Sequence, residues 1–372
     1  MDSRYQKIAQ SLLDRAGVTI NGPHPWDITI HDDRFYRTAL TRGELGIGES
    51  YMDGWWDVPR LDEFITRVLA ARLDGDVRDA RSAVAIRALG RILNYQSRRR
   101  AFANGERHYD RGNDLFLAML DARMNYSCAY WRDASTLDEA QEHKLDLICR
   151  KIGLGPGMRV LDIGCGWGGF ARFAAERYGA SVDGLTVSHE QLELGRRLCE
   201  GLPVELRLSD YRDAYGTYDR IVSVGMIEHV GYKNYRKFFE VAHRCLHEEG
   251  LFLLHTIGSC VSSTLIDPWA DKYIFPNGMI PSVAHLGKGM EGLFVMEDWH
   301  NFGADYDRTL MAWYANFVRH WPTLRERYGE RFFRMWSYYL QSSAGGFRAR
   351  RNQLWQIVLS KRGVPGGYLS VR

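Results

Sequence analysis

No Cys-x-x-Cys pair occurs in this chain of 372 residues, which excludes zinc-ribbon spacing and a dithiol redox motif. The six cysteines, Cys128, Cys149, Cys165, Cys199, Cys245 and Cys260, are scattered. Free thiols in a reducing cytosol are their simplest account, and no metal site is expected. No uncharged apolar run approaches about 20 residues, so no segment is expected to cross a bilayer as a helix. Met1 to Gly17 carries charges throughout, the pattern of an amphipathic helix and not of a signal peptide. Charge excess is also small: 49 Lys and Arg against 46 Asp and Glu leave a formal +3, too little to argue for nucleic acid. Internal repeats and low-complexity segments are lacking.

Apolar residues, by contrast, make up 45% of the chain and aromatics 13%, with 11 Trp and 20 Tyr. That length and content suit two domains with sizeable cores. The aromatics fit a protein that handles apolar ligands or membrane surfaces, and equally a large core. Residues 1–96 are expected to form a smaller, mostly helical domain. Leu61, Phe64, Ile65, Val68, Leu69 and Leu73 recur there at helical spacing, and Asp74-Gly75-Asp76 ends that helix. Arg81 to Arg107 is locally basic, with apolar positions interleaved. Such a helix can lie on an anionic membrane or serve as a solvated linker; the residues leave both open.

The centre of the remaining chain, 97–372, is Val160-Leu161-Asp162-Ile163-Gly164-Cys165-Gly166-Trp167-Gly168-Gly169. A short apolar run, a glycine turn and a helix-like stretch form the first half of a Rossmann-like unit. Asp162 at the strand end and the spacing Gly-x-Gly-x-Gly-Gly favour S-adenosylmethionine (SAM) over a dinucleotide, the carboxylate lying near the cationic methionine end. Strands and helices then alternate to Thr256. This predicts a parallel sheet with helices on both faces and places Gly164, Thr186, Asp210, Glu228 and His255 on one ligand-binding rim. The pattern fails over about 257–293, where Pro and Gly punctuate the chain; this segment is expected to be a helical insertion covering the rim. Aromatic-rich helices at Trp313 to Trp321 and Phe332 to Leu340 and a last strand at Leu354 to Ser360 follow.

The runs His108–Asp114, Asn125–Tyr130, Val160–Gly169, Gly184–Ser188, Ile227–Gly231, His255–Gly258, Asp271–Gly278 and His300–Leu310 together resemble cyclopropane-fatty-acyl-phospholipid synthases, over about residue 105 to the C-terminus. Mycolic-acid cyclopropane synthases are similar in the catalytic part but lack a leading domain of this size. The resemblance implies a class I, Rossmann-like SAM-dependent methyltransferase fold. It also implies methylene transfer from SAM to a cis double bond of an unsaturated phospholipid acyl chain, through a carbocation that bound bicarbonate deprotonates. The bicarbonate ligands it implies are Cys128, Glu228, His255, the backbone of Ile257, and Tyr306. The cofactor contacts it implies are Tyr126, Ser127, Gly164, Gly166, Thr186, Gln191, Asp210 and Tyr211. A homodimer acting peripherally on the inner face of the membrane is also implied. One departure is Ser343, where family members commonly carry cysteine. Two other readings compete: a lipid methyltransferase that stops at a methyl or methylene branch, and a catalytically silent lipid-binding protein.

Overall fold

The computed structural model describes residues 3–73, 112–263 and 267–372. The basic stretch Arg81 to Arg107, the helix break at Asp74, the expected boundary at residue 96 and the start of the His108 run lie outside those residues. The described residues divide into two compact units.

The first unit draws on Met1–Leu93, Leu265–Pro276 and Tyr306–Asn352. Its helices are Ser3–Asp14, Arg34–Met52, Leu61–Ala70, Pro268–Tyr273, most of Ala304–Tyr328, and Glu330–Arg348. A two-residue antiparallel ladder joins β1 (Thr29–Ile30) to β2 (Trp56–Asp57). Fully buried Trp56 is the hub, with Phe35, Tyr51 and Phe64 ring centroids 5.8, 5.1 and 5.5 Å away. Arg34–Met52 is two helical stretches in succession. It kinks where Gly43 takes φ +54, and a Cβ on Gly48 would stand 2.4 Å from the Trp269 ring. Glycine is kept there for close approach, not for a turn.

The division differs from the expected one, which gave everything after residue 96 to the catalytic part. Here the helices of 306–352 pack with the N-terminal ones. Arg348 donates to Asp62 and Glu63 (both 2.8 Å) and, from the other side of its guanidinium, to Asp307 (2.8 and 2.9 Å). Gly345 lies so close to the Leu61–Ala70 helix that a Cβ would sit 2.8 Å from the Asp62 carbonyl. The expected insertion is divided as well: Leu265–Pro276 belongs to the first unit and Asn277 onward to the second.

The second unit is a seven-stranded sheet in the order β5-β4-β3-β6-β7-β9-β8. Its strands are β3 (Arg159–Ile163), β4 (Ser181–Thr186), β5 (Val204–Leu208), β6 (Tyr218–Val224), β7 (Leu246–Gly258), β8 (Val295–Asn301) and β9 (Gln353–Ser360). β3 to β7 pair in parallel, and β9 runs against both β7 and β8. β3 has no exposed face, from Val160 to Ile163, as expected of a strand covered by helices on both sides. The chain moves from β3 to one side through β4 and β5, then returns to the other side with β6. The crevice for a ligand opens at that reversal. β8 is the strand the sequence pattern did not mark. Glu297, Asp298 and His300 give it a loop-like composition, but Asp298 is buried against Lys151 (3.5 Å) and Arg372 (2.6 Å).

Candidate active site

All nine residues expected at the cofactor (Tyr126, Ser127, Asp162, Gly164, Gly166, Thr186, Gln191, Asp210 and Tyr211) line one cavity at the β3/β6 reversal. The glycine turn leaves β3 with φ +91 at Gly164, +55 at Gly166 and +80 at Gly168, left-handed values that other residues adopt at a cost. The amides of Gly164 and Cys165 both donate to the Leu185 carbonyl (3.0 and 2.9 Å). Those two donors are therefore turned to the sheet and cannot cradle a phosphate, which separates this turn from a pyrophosphate loop.

The next wall comes from the end of β4. Thr186 Oγ1 donates to Gln191 Oε1 at 2.8 Å, and Ser188 caps the His189–Leu198 helix by accepting from the Gln191 amide. Beyond β5, Asp210 accepts from the Arg212 amide (2.9 Å) and guanidinium (2.8 Å), and that guanidinium covers the Tyr211 ring at 4.6 Å.

The opposite wall is the segment Asn125–Ser127. It is held by the helix Leu137–Lys151, which starts with a capping box at Thr136 and Glu139. Gln141 donates to the Ser127 carbonyl at 2.9 Å. Lys144, buried and lining the cavity, donates to Asn125 Oδ1 (3.1 Å) and Ser127 Oγ (3.0 Å). Nothing in the expected site included Lys144. Its charge looks like one more on a solvated helix, yet it falls in register with Gln141 and Ile148 on the buried face. Burial pulls its ammonium down to about 8 against the attraction of Asp121. Burial likewise pushes the Asp162 carboxyl up to about 7, against the attraction of Lys144.

The residues expected at the base lie at the end of β6 and on β7. Glu228 follows β6 in a single 3-10 turn. Its Oε1 accepts from the Ile257 amide at 2.7 Å, while its enclosed Oε2 has no hydrogen-bond partner. The Ile257 amide is thus committed to Glu228. Desolvation pushes the Glu228 carboxyl up to about 7. His255, buried in β7, receives a 3.3 Å hydrogen bond from Gln356 Nε2 at Nδ1, so its ring proton stands on Nε2, a buried atom without a partner. Burial, then the charges of Lys144 and Lys151, holds His255 well below the usual imidazole range, in its neutral form. Cys128 is fully buried and within electrostatic reach of Lys144. Met279 donates its amide to the Glu228 carbonyl at 2.7 Å, which fixes part of the expected insertion beside the rim. Tyr306 belongs to the first unit, where its ring packs on Phe347 (4.5 Å) and Trp313 (6.0 Å). Ser343 lies in the first unit's last helix.

The raised Glu228 carboxyl has a consequence for stability. An acid that holds its proton more tightly when folded stabilises the fold below its unfolded value of 4.5 and loses that contribution as pH rises through about 7. Glu228→Gln keeps the acceptor for Ile257 and removes the titration. Urea unfolding at about pH 5 and about pH 8 should show the wild type losing about 2–3 kcal/mol more stability than the variant. Parallel losses in both proteins would place the Glu228 carboxyl in an ordinary environment.

Comparison with known proteins adds to this geometry. The family profile described as mycolic acid cyclopropane synthetase matches residues 96–357. The chain is 54% identical over 366 residues to the cyclopropane-fatty-acyl-phospholipid synthase of Escherichia coli K12, covering 98% of this chain and 96% of that one. It is 34% identical over 368 residues to a tuberculostearic acid methyltransferase of Mycobacterium tuberculosis, covering 92% and 85%. Among solved structures, the mycolic acid cyclopropane synthase CmaA1, complexed with S-adenosylhomocysteine and CTAB, superposes with a TM-score of 0.66 at 33% identity. That match covers 70% of this chain and 98% of CmaA1. The fold is therefore that of a class I methyltransferase, and the chain belongs to the cyclopropane synthase family of SAM-dependent methyltransferases.

Proposed function

We propose that the enzyme builds a cyclopropane ring on a cis double bond of an unsaturated phospholipid acyl chain, with bicarbonate bound at Glu228, His255 and Cys128. SAM supplies an electrophilic methyl. The alkene π pair forms the new carbon–carbon bond as the carbon–sulfur bond breaks towards sulfur. The neighbouring carbon is left as a cation, and loss of a proton from the new methyl closes the ring. A poor nucleophile such as an alkene depends on being held against the methyl, and the cation depends on exclusion of water.

The observation that carries the reading is the pair of enclosed, unpartnered atoms, Glu228 Oε2 and His255 Nε2, in residues flanking the methyl-donor cavity. Leaving two buried polar atoms unsatisfied costs about 1–3 kcal/mol each, so a small polar guest belongs there. A carboxyl with a value near 7 and a neutral imidazole with its proton on Nε2 are both donors near neutral pH, which suits an anion. Lys144 contributes positive charge to the same region, since it acts on both Cys128 and His255. Bicarbonate held there supplies a general base.

The partner we infer is the lipid bilayer, met from its cytoplasmic face by a homodimer, and not nucleic acid. Among the described residues no helix is long and apolar enough to cross a membrane. The test is incubation with SAM and vesicles of monounsaturated phospholipid, with and without bicarbonate, followed by mass spectrometry and NMR of the acyl chains. One added CH2 per chain, loss of the alkene signal, appearance of ring protons and dependence on bicarbonate are expected. A methyl or methylene branch in place of the ring would assign the branching activity suggested by the tuberculostearic relative, and a methylated headgroup would overturn both.

A further inference from the structure

Lys144 and Asp162 are opposite charges that line the same cavity, both about 1% exposed. They form no direct ion pair at 4 Å or less. Lys144 spends two ammonium hydrogens on neutral oxygens, Asn125 Oδ1 and Ser127 Oγ, and an ammonium has three. Asp162 Oδ1 is buried with no partner. Each charge is shifted towards neutrality by its burial. Burying separate charges without direct pairing is strongly unfavourable, so the arrangement is completed by something that brings both signs at a short separation. The other charged pair on the cavity wall, Asp210 and Arg212, is already matched to itself at 2.8 Å.

The amino-acid end of SAM is such a zwitterion. We propose that Lys144 is a cofactor-binding residue that holds the α-carboxylate of the methyl donor, opposite Asp162 at the α-ammonium. The helix Leu137–Lys151 thereby takes part in the cofactor site as more than a support for Ser127. This rests on the SAM-binding part of the function above and is independent of what happens to the lipid.

The test measures calorimetric binding to the full chain of four probes: S-adenosylhomocysteine, 5′-methylthioadenosine, which lacks the amino-acid end, SAM, and decarboxylated SAM, which differs from SAM only in lacking the carboxylate. Lys144→Met should weaken S-adenosylhomocysteine about thirtyfold, the scale of a lost charged hydrogen bond. Methylthioadenosine affinity should stay within about threefold. Equal loss for both would reduce Lys144 to a strut for Asn125–Ser127 and overturn the assignment, as would no loss for either. The wild type offers a check that needs no variant: it should prefer SAM to decarboxylated SAM by about thirtyfold or more, and equal affinities would overturn the proposal. Intact S-adenosylhomocysteine binding without any lipid product would refute the cyclopropanation reading and leave this one standing. A wild type that binds no S-adenosylhomocysteine would overturn this inference together with SAM use.

Discussion

Glu228→Gln is expected to lower turnover on phospholipid vesicles about a thousandfold, the range of lost general-base catalysis, while S-adenosylhomocysteine affinity changes less than about threefold. His255→Ala should do the same. The argument is geometric. Glu228 Oε1 is fixed by the Ile257 amide and Oε2 is left over; His255 Nδ1 is fixed by Gln356 and Nε2 is left over. In both residues one atom is tied to the fold and the other is offered. Neither belongs to the set lining the cavity at the β3/β6 reversal. Their removal should therefore act on proton loss after methyl transfer, a difference confined to kcat. Acyl chains trapped as methylated alkenes would agree with a lost base. Equal losses in cofactor affinity and kcat would assign both side chains to the cofactor.

The second large effect concerns two glycines two residues apart that should fail for opposite reasons. A Cβ on Gly164 would meet Met226 Cγ and Cβ at 2.6 and 2.7 Å, with φ at +91. Gly164→Ala should therefore destabilise the fold itself, by about 2–4 kcal/mol of strain and overpacking, and displace the turn that carries Glu228. A Cβ on Gly166 meets no protein atom within 4 Å, and the residue lines the cavity. Gly166→Ala should cost only about 1–2 kcal/mol of left-handed backbone strain. Its methyl would occupy ligand space, weakening S-adenosylhomocysteine about 30- to 100-fold. Unfolding curves and calorimetry on the same two proteins separate the cases. A Gly166→Ala protein that binds normally would show that the cofactor does not approach this turn.

How much of this was legible without coordinates depended on what each residue must do locally. The β3 turn was legible because apolar run, acid and glycines state one strand–turn–helix unit in ten consecutive residues. β8 was hidden because its Asp298 is neutralised by Lys151 and Arg372, from distant parts of the chain. Lys144 was hidden because a lysine on a charge-rich helix looks solvated; only its register with Gln141 and Ile148 marked it as buried. The bond from the Ile257 amide to Glu228 was hidden because it joins residues 29 apart in sequence. The make-up of the first unit could not be read locally, because Asp62 and Arg348 meet across 286 positions of the chain.

That last meeting bears on how the protein is made. Tyr51 packs on Tyr338 at 5.5 Å, Asp62 pairs with Arg348, and Gly345 sits against Ile65, so part of the packing of the helices nearest the N-terminus waits for residues after Tyr306. At ordinary synthesis rates those residues leave the ribosome on the order of 15–60 s after the first segment. In that interval Tyr51 lacks Tyr338 and Asp62 lacks Arg348 while β3 to β7 are being laid down. Neither unit is complete until the chain is nearly finished, since β9 of the sheet also follows residue 352, and a chaperone that holds exposed aromatic helices would act on the beginning of this polypeptide until its end has emerged.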